Sequence, residues 1–375
     1  MSEKRFQGTG TAMITPFKSD GSVDDKALRR LVDFQIDGGV DMLLPCGTTG
    51  EGATLNSEET DRVVQIVIEQ SRRRVPVIAG AGTNSTAKAV QMTKRAKQIG
   101  ADGVLSVGPY YNKPTQEGYY QHFKAIAEAD DIPVIVYNVP GRTGGNIEAK
   151  TTLRLAEISN IVAVKEASGN LGQIMDVIRD APANFAVLSG DDALALAVVA
   201  LGGDGVVSVV SNETPAMMAS MIDAALEGDF AKARELHYRL LPLMNANFVE
   251  TNPIPVKAAL AMQAQGGAVA VRAGFIEYRN QIFQIIGITR DLRRYGGQID
   301  ETIRSFDNVT DERILRVQPD RLRIYTAEEG DTLVAIAKRL ANPRVTADDL
   351  AVLNRAATEQ PITAGRLLKI VEKGY

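Results

Sequence analysis

With 375 residues, 45% hydrophobic and 23% charged, the chain has the makeup of an ordinary globular protein and more length than one domain needs. A formal net charge of -4 gives no electrostatic reason to expect a nucleic-acid partner or an anionic membrane. Cys46 is the 1 cysteine, which excludes an intrachain disulfide, and with 2 histidines beside it no structural zinc site is expected. Met1-Ser2-Glu3-Lys4-Arg5 has no apolar stretch behind it, and no apolar run reaches the ~18 residues of a membrane span. The cytoplasm is therefore the expected compartment.

Eight short, nearly continuous apolar runs follow one another along the first two hundred or so residues, the pattern of strands buried on both faces. They are Gly10–Ile14, Asp41–Leu44, Val75–Ala79, Gly103–Val107, Pro133–Tyr137, Ile161–Lys165, Phe185–Ser189 and Gly205–Val209. Between them lie stretches of helical periodicity, such as Asp24–Asp37, Ser57–Arg72 and Thr86–Gln98, opening on Asp, Ser or Thr as helix N-termini do. Such an alternation predicts a (β/α)₈ barrel over residues 1–215. An open doubly wound sheet would usually carry a Gly-rich phosphate turn after the first strand, and Thr15-Pro16-Phe17-Lys18 is not one. Helices are expected over 216–265. A break at Gly266-Gly267 opens a connecting segment, 266–320, which is read as helical from Arg272 to Ile303. Residues 321–375 read as a small βααβ unit.

In such a barrel the chemistry sits at the C-terminal strand ends. Lys165 closes the sixth run, where a lysine either pairs with a carboxylate or serves as a nucleophilic amine. Burial in an apolar mouth would disfavour the ammonium and free the amine to attack a keto acid. The residues alone leave both roles open. Tyr137 closes the fifth run, as a core aromatic or a proton donor, and Arg142 beyond it offers a fork for a carboxylate. The turn Gly47-Thr48-Thr49-Gly50-Glu51 can present backbone N–H groups to an anion. Gly108-Pro109-Tyr110-Tyr111-Asn112-Lys113-Pro114 brings two phenols to the same face. Cys46 reads as a small buried filler, with no histidine nearby in the pattern.

Together with Val164-Lys165-Glu166-Ala167, Ser189-Gly190-Asp191-Asp192 and Asn252-Pro253-Ile254-Pro255-Val256-Lys257, these segments make residues 6 to 262 resemble the dihydrodipicolinate synthase family. The resemblance implies a lyase that needs neither metal nor organic cofactor. Lys165 would form a Schiff base with pyruvate, and Thr49 would hold the pyruvate carboxylate. Tyr137, Thr48 and Tyr111 would relay protons, Tyr111 reaching across a subunit interface. Arg142 would bind L-aspartate-4-semialdehyde, while Gly190 and Val207 would line the pyruvate pocket. A homotetramer built from tight dimers is implied, and 4-hydroxy-tetrahydrodipicolinate as the product. N-acetylneuraminate lyases and keto-deoxy sugar acid aldolases share the lysine. Glu166-Ala167 and Gly141-Arg142-Thr143 favour the synthase, because a carboxylate-reading arginine suits an amino-acid semialdehyde better than a neutral sugar.

Two departures stand out. The positions matching the family's site for feedback by lysine are Gly52, Ala53, Leu55, Ser57, Thr60, Asn84, Lys88 and Tyr110, where Thr60 replaces a histidine and Lys88 a glutamate. A cation at Lys88 would repel the inhibitor's ammonium, so weak inhibition is expected. The resemblance also fades near Gln265. The final unit, with Gly330-Asp331-Thr332-Leu333, Leu353-Asn354 and Gly365-Arg366-Leu367-Leu368-Lys369-Ile370, resembles a LysM domain, a family that binds N-acetylglucosamine polymers such as peptidoglycan. The preceding Phe275–Phe306 looks like the tail before such a unit in some zinc metallopeptidases, but no His-Glu-x-x-His occurs and no peptidase activity follows. A lyase carrying a passenger tail and a glycan-binding protein built on a barrel scaffold are the two readings. Lys165, Tyr137 and Thr48 together favour the lyase.

Overall fold

A computed structural model describes residues 4–264, 270–278, 281–289, 321–340, 345–354 and 357–372. Eight parallel strands appear on the eight expected runs: β1 (Gly8–Ala12), β2 (Met42–Leu44), β3 (Ile78–Gly80), β4 (Gly103–Val107), β5 (Val134–Asn138), β6 (Ile161–Glu166), β7 (Ala186–Ser189) and β8 (Gly205–Ser208). They pair in the order β2-β1-β8-β7-β6-β5-β4-β3. A parallel bridge between Leu43 and Val77 joins the two ends into a closed barrel. β3 starts later than its apolar run because Pro76 has no N–H to give a ladder; its carbonyl accepts from Leu43 N at 3.0 Å instead.

The helices begin where polar side chains can satisfy free N–H groups. Asp24 caps Asp25–Asp37 by accepting from Ala27 N, and Ser85 caps Thr86–Ile99 by accepting from Lys88 N. Asn56 and Glu59 form a reciprocal capping box on Ser57–Ser71. Strand alternation then divides the core in two. Inward residues, among them Ala12, Met42, Leu44, Ile78, Leu105, Ile135, Ala163, Leu188 and Val207, fill the barrel. Outward ones, such as Val104, Val134, Val136, Val164 and Val187, meet the helices. Phe6 packs into the inner cluster from the N-terminal arm, and beside it Lys4 Nζ pairs with Asp204 at 2.7 Å.

Three helices follow the barrel, Pro215–Leu226, Phe230–Ala246 and Ile254–Ala264, as expected. The helical reading of Arg272–Ile303 is corrected over its described part. Residues 270–289 carry β9 (Ala270–Tyr278) and β10 (Gln281–Thr289), paired as a two-stranded sheet. The charges suggested a helix surface, but Val271, Phe275, Ile276 and Tyr278, then Ile282, Phe283, Ile285, Ile286 and Ile288, are strand formers. Gly274 and Gly287 further disfavour a helix interior. Residues 290–303 lie outside the described residues.

The chain divides into two compact units. The second contains the expected βααβ arrangement: antiparallel β11 (Arg321–Thr326) and β12 (Leu367–Glu372), with helices Leu333–Leu340 and Ala347–Asn354 between them. Leu333, Ile336, Leu350, Ile362, Leu368 and Ile370 form its core. Its two polar motifs each make a lock. Asp331 accepts from Glu328 N at 2.9 Å and from the Tyr325 hydroxyl at 2.7 Å, tightening the turn at Gly330. Asn354 takes the place of a strand partner, accepting from Lys369 N at 2.7 Å and donating to Lys369 O at 2.8 Å.

In the barrel unit, the turn after β8 buries Glu213, only 3% exposed. One carboxyl oxygen accepts from Asn247 Nδ2 at 2.7 Å, and the other has no partner among the described residues. Burial pushes this acid from an ordinary value of 4.5 up to about 8. Between those two values the unfolded chain gives up the proton and the folded chain keeps it, so stability falls as pH rises through that window. Glu213→Gln, which cannot ionise, is expected to melt with a flatter pH dependence than the parent between about pH 5 and pH 8. Equal slopes for the two chains would refute the assignment.

Candidate active site

Lys165 and Tyr137 are neighbours by strand register. β5 and β6 pair Tyr137 with Lys165, and β6 and β7 pair Lys165 with Leu188. Ala163 and Lys165 are two apart on β6, so both side chains enter the barrel, while Glu166 points the other way. Lys165 is 5% exposed, and its Nζ lies 4.2 Å from the centre of the Tyr137 ring. Among the described residues no carboxylate lies within ion-pair distance of it. Among the described residues, the ion-pair role left open by the sequence therefore finds no partner.

Glu166 has a supporting part. It accepts from Asn138 Nδ2 at 3.1 Å, Gln173 Nε2 at 3.1 Å and Ser168 N at 2.8 Å. Asn138 in turn accepts from Ile147 N at 3.0 Å. This buried set ties the segments after β5 and β6 together directly behind Tyr137 and Lys165. Gly190 follows β7, and its N–H donates to Glu166 O at 2.7 Å. A Cβ there would lie 2.6 Å from Ala167 Cβ and 3.2 Å from Lys165 Cε, so any larger residue would push on the amine. Val207 is buried in the inner cluster with Tyr137.

On the Tyr137 side the mouth opens into a cavity of about 360 Å³ lined by Thr48, Tyr137, Arg142, Thr143, Asn252 and Cys46, among others. The turn after β2 is folded back on itself, with Glu51 N donating to Thr48 O and Gly52 N to Gly47 O, both at 3.1 Å. Among the described residues the N–H groups of Thr48, Thr49 and Gly50 meet no protein acceptor, which leaves them to an anion. Thr49 is buried and accepts from Asn252 Nδ2 at 2.9 Å. Arg142 donates to the Asn252 carbonyl at 3.3 Å. Cys46, as expected, is a filler: burial pushes its thiol up to about 12, far from a thiolate at neutral pH.

Of the expected residues, Thr48, Tyr137 and Arg142 line this cavity; Lys165, Thr49 and Val207 are buried outside its lining, Gly190 is half-buried outside it, and Tyr111 turns away to solvent. It is 88% exposed, holds a φ of 69°, and is anchored through its N–H to Thr143 O at 3.2 Å. Asn252 is the residue whose part went unread. It stood in plain view in the Asn252–Lys257 segment, but nothing in its sequence neighbourhood says that it folds back onto Thr49 and Arg142.

The family model for the dihydrodipicolinate synthetase family matches residues 5–282, and that for the LysM domain matches 325–371. The chain belongs to the dihydrodipicolinate synthetase family. It is 57% identical over 260 residues to the 4-hydroxy-tetrahydrodipicolinate synthase of Syntrophus aciditrophicus (strain SB), covering 69% of this chain and 89% of that one. Among solved structures it is similar to the chloride-inhibited dihydrodipicolinate synthase of Acinetobacter baumannii complexed with pyruvate, at 46% identity and TM-score 0.67, covering 68% of this chain and 89% of that one. It is also similar to the synthase of Cyanidioschyzon merolae with lysine bound, at 43% identity and TM-score 0.68, covering 70% and 90%. The family match runs past Gln265, where the resemblance in the sequence fades, into the β9 and β10 region.

The family's expected lysine-site positions, all but Asn84, line a second cavity of about 510 Å³. Lys88 and Arg95 are both in its wall, with Arg95 Nε on Asp61 at 2.6 Å. The two cavities share Gly52, Ala53, Gly80, Gly82, Met92 and Tyr110. A helix long and apolar enough to cross a membrane is absent among the described residues, as is any cluster of metal-binding side chains.

Proposed function

We propose that the chain is a 4-hydroxy-tetrahydrodipicolinate synthase, a Schiff-base lyase that condenses pyruvate with L-aspartate-4-semialdehyde. The observation that carries this reading is Lys165: a buried amine without a carboxylate partner among the described residues, against the Tyr137 ring. Its neutral amine attacks the keto carbon of pyruvate, and water leaves to give the imine. The carboxylate sits on the Thr49 hydroxyl and the N–H groups of the turn. Loss of a methyl proton makes an enamine, whose carbon attacks the aldehyde of the second substrate, held through its carboxylate by Arg142. The aldehyde oxygen takes up a proton and becomes the hydroxyl. The substrate's own amine then adds to the imine carbon and expels Lys165, which closes the ring.

Tyr137 and Thr48 both line the cavity and supply the hydroxyls that move these protons. Tyr111 completes the relay of a neighbouring copy; a phenol held outward on a left-handed backbone supports that role, and with it a dimer as the smallest fully active unit, assembled into a homotetramer. Gly190 and Val207 keep the pyruvate end narrow. A reaction among soluble metabolites fits a cytoplasmic setting.

Borohydride is expected to trap a pyruvate adduct on the intact chain and none on Lys165→Ala, and pyruvate with the semialdehyde is expected to yield dipicolinate on oxidation. Turnover of sialic acid in place of the semialdehyde would overturn the substrate assignment. In the second cavity Asp61 pairs with Arg95, and Lys88 remains as a wall cation that repels a lysine ammonium, so half-inhibition by lysine is expected only well above about a millimolar. Titration of the steady-state rate with lysine decides it.

The LysM match at 325–371 favours a second capacity, binding of N-acetylglucosamine polymers by the C-terminal unit. The full chain is then expected to sediment with purified peptidoglycan and to be released by soluble N-acetylglucosamine oligomers. Recovery of all the protein in the supernatant would mark the unit as a passenger.

A further inference from the structure

Asn252 belongs to none of the eight strands and to none of the loops that join them. It lies between the helices Phe230–Ala246 and Ile254–Ala264, in the extension that follows the barrel. Yet it is 5% exposed, lines the substrate cavity, and touches both residues read as carboxylate binders. Its side-chain amide donates to Thr49 Oγ1 at 2.9 Å, and its main-chain carbonyl accepts from Arg142 Nη2 at 3.3 Å. Its Oδ1 is buried with no partner among the described residues. Native chains seldom leave a buried acceptor unpaired, and such exceptions call for an explanation.

Hydrogen-bond direction gives a functional one. A threonine hydroxyl has a single proton and two lone pairs. With one lone pair taken by the Asn252 N–H, the Thr49 proton remains available for an anion. The donating amide thus leaves Thr49 set as a donor, while the adjacent carbonyl holds one nitrogen of the Arg142 fork. Five residues further on, Lys257 Nζ binds Glu51 at 2.5 Å and lies 4.4 Å from the Phe17 ring centre. The same extension therefore grips the turn after β2 a second time, two residues beyond Thr49.

We propose that Asn252 is a positioning residue for both substrates, orienting the Thr49 hydroxyl toward the keto-acid carboxylate and the Arg142 guanidinium toward the aldehyde's carboxylate. This rests on the synthase reading above. It makes the segment outside the barrel part of substrate recognition rather than an appendage to it. Replacing the amide by a carboxylate should do more harm than removing it: an aspartate accepts the Thr49 proton and sets a negative charge beside an anion site.

The test compares the purified full chain with Asn252→Ala, Asn252→Asp and Asn252→Ser in steady-state turnover, pyruvate-dependent borohydride trapping and thermal melting. Asn252→Ala removes the side-chain contact to Thr49 and keeps the main-chain carbonyl on Arg142, so it should raise KM for pyruvate by about tenfold, the scale of one hydrogen bond to a charged group, and KM for the semialdehyde by less. Asn252→Asp should raise KM for pyruvate by a further tenfold or so, with a matching loss of trapping at low pyruvate. Asn252→Ser, which keeps a donor, should fall between the parent and Asn252→Ala. Changes in kcat should be smaller than those in KM. A packing role predicts the reverse order, with the alanine worse than the near-isosteric aspartate and kcat falling in step with the melting temperature. That order, or parent-like KM values in all three variants, overturns the proposal. An inactive parent chain would instead overturn the synthase reading.

Discussion

An amine inside a barrel can act as a nucleophile only if nothing nearby satisfies its charge, and the rest of this site is arranged around that condition. The alternation of β6 turns Lys165 inward and Glu166 outward, so the one carboxylate adjacent in sequence faces the other side of the sheet. There it is bound by Asn138, Gln173 and Ser168. A one-residue slip in register would exchange the two and place a carboxylate in the barrel. The network behind β5 and β6 is what resists that slip. It also seats Tyr137 beside the amine, because Asn138, its next neighbour, is the residue that joins both strands to Ile147.

A closed barrel supplies the second condition, a single open end. Phe6 and the Lys4–Asp204 pair occupy the N-terminal side, and the turns after β2, β4, β5 and β7 gather at the other. These turns come from distant parts of the chain, and those after β4 and β5 are joined by Tyr111 N on Thr143 O. What holds two of them is the extension after the barrel, through Asn252 on Thr49 and Arg142 and through Lys257 on Glu51. The second cavity shares Gly52, Ala53 and Tyr110 with the first.

Residues up to helix Ile254–Ala264 are needed because they touch the site, whereas the LysM unit has its own core of Leu333, Ile336, Leu350, Leu368 and Ile370. Its polar locks at Asp331 and Asn354 are likewise internal.

The sequence alone determined the eight strands and the helices between them, because runs buried on both faces stay apolar and capped helices announce their starts. It determined too that Lys165, Tyr137, Thr48 and Arg142 fall at strand ends, and the βααβ order of the last unit. It misread 272–289, where a helical pattern was read over the strand propensity of isoleucine and phenylalanine. Register, direction and distance belonged to the tertiary structure. Only there does Lys165 lack a counter-charge among the described residues, Tyr111 leave its own cavity, and Asn252 meet residues two hundred and one hundred ten positions away. The reason is that periodicity encodes which face a side chain takes, while the partner across that face is set by how the whole chain closes on itself.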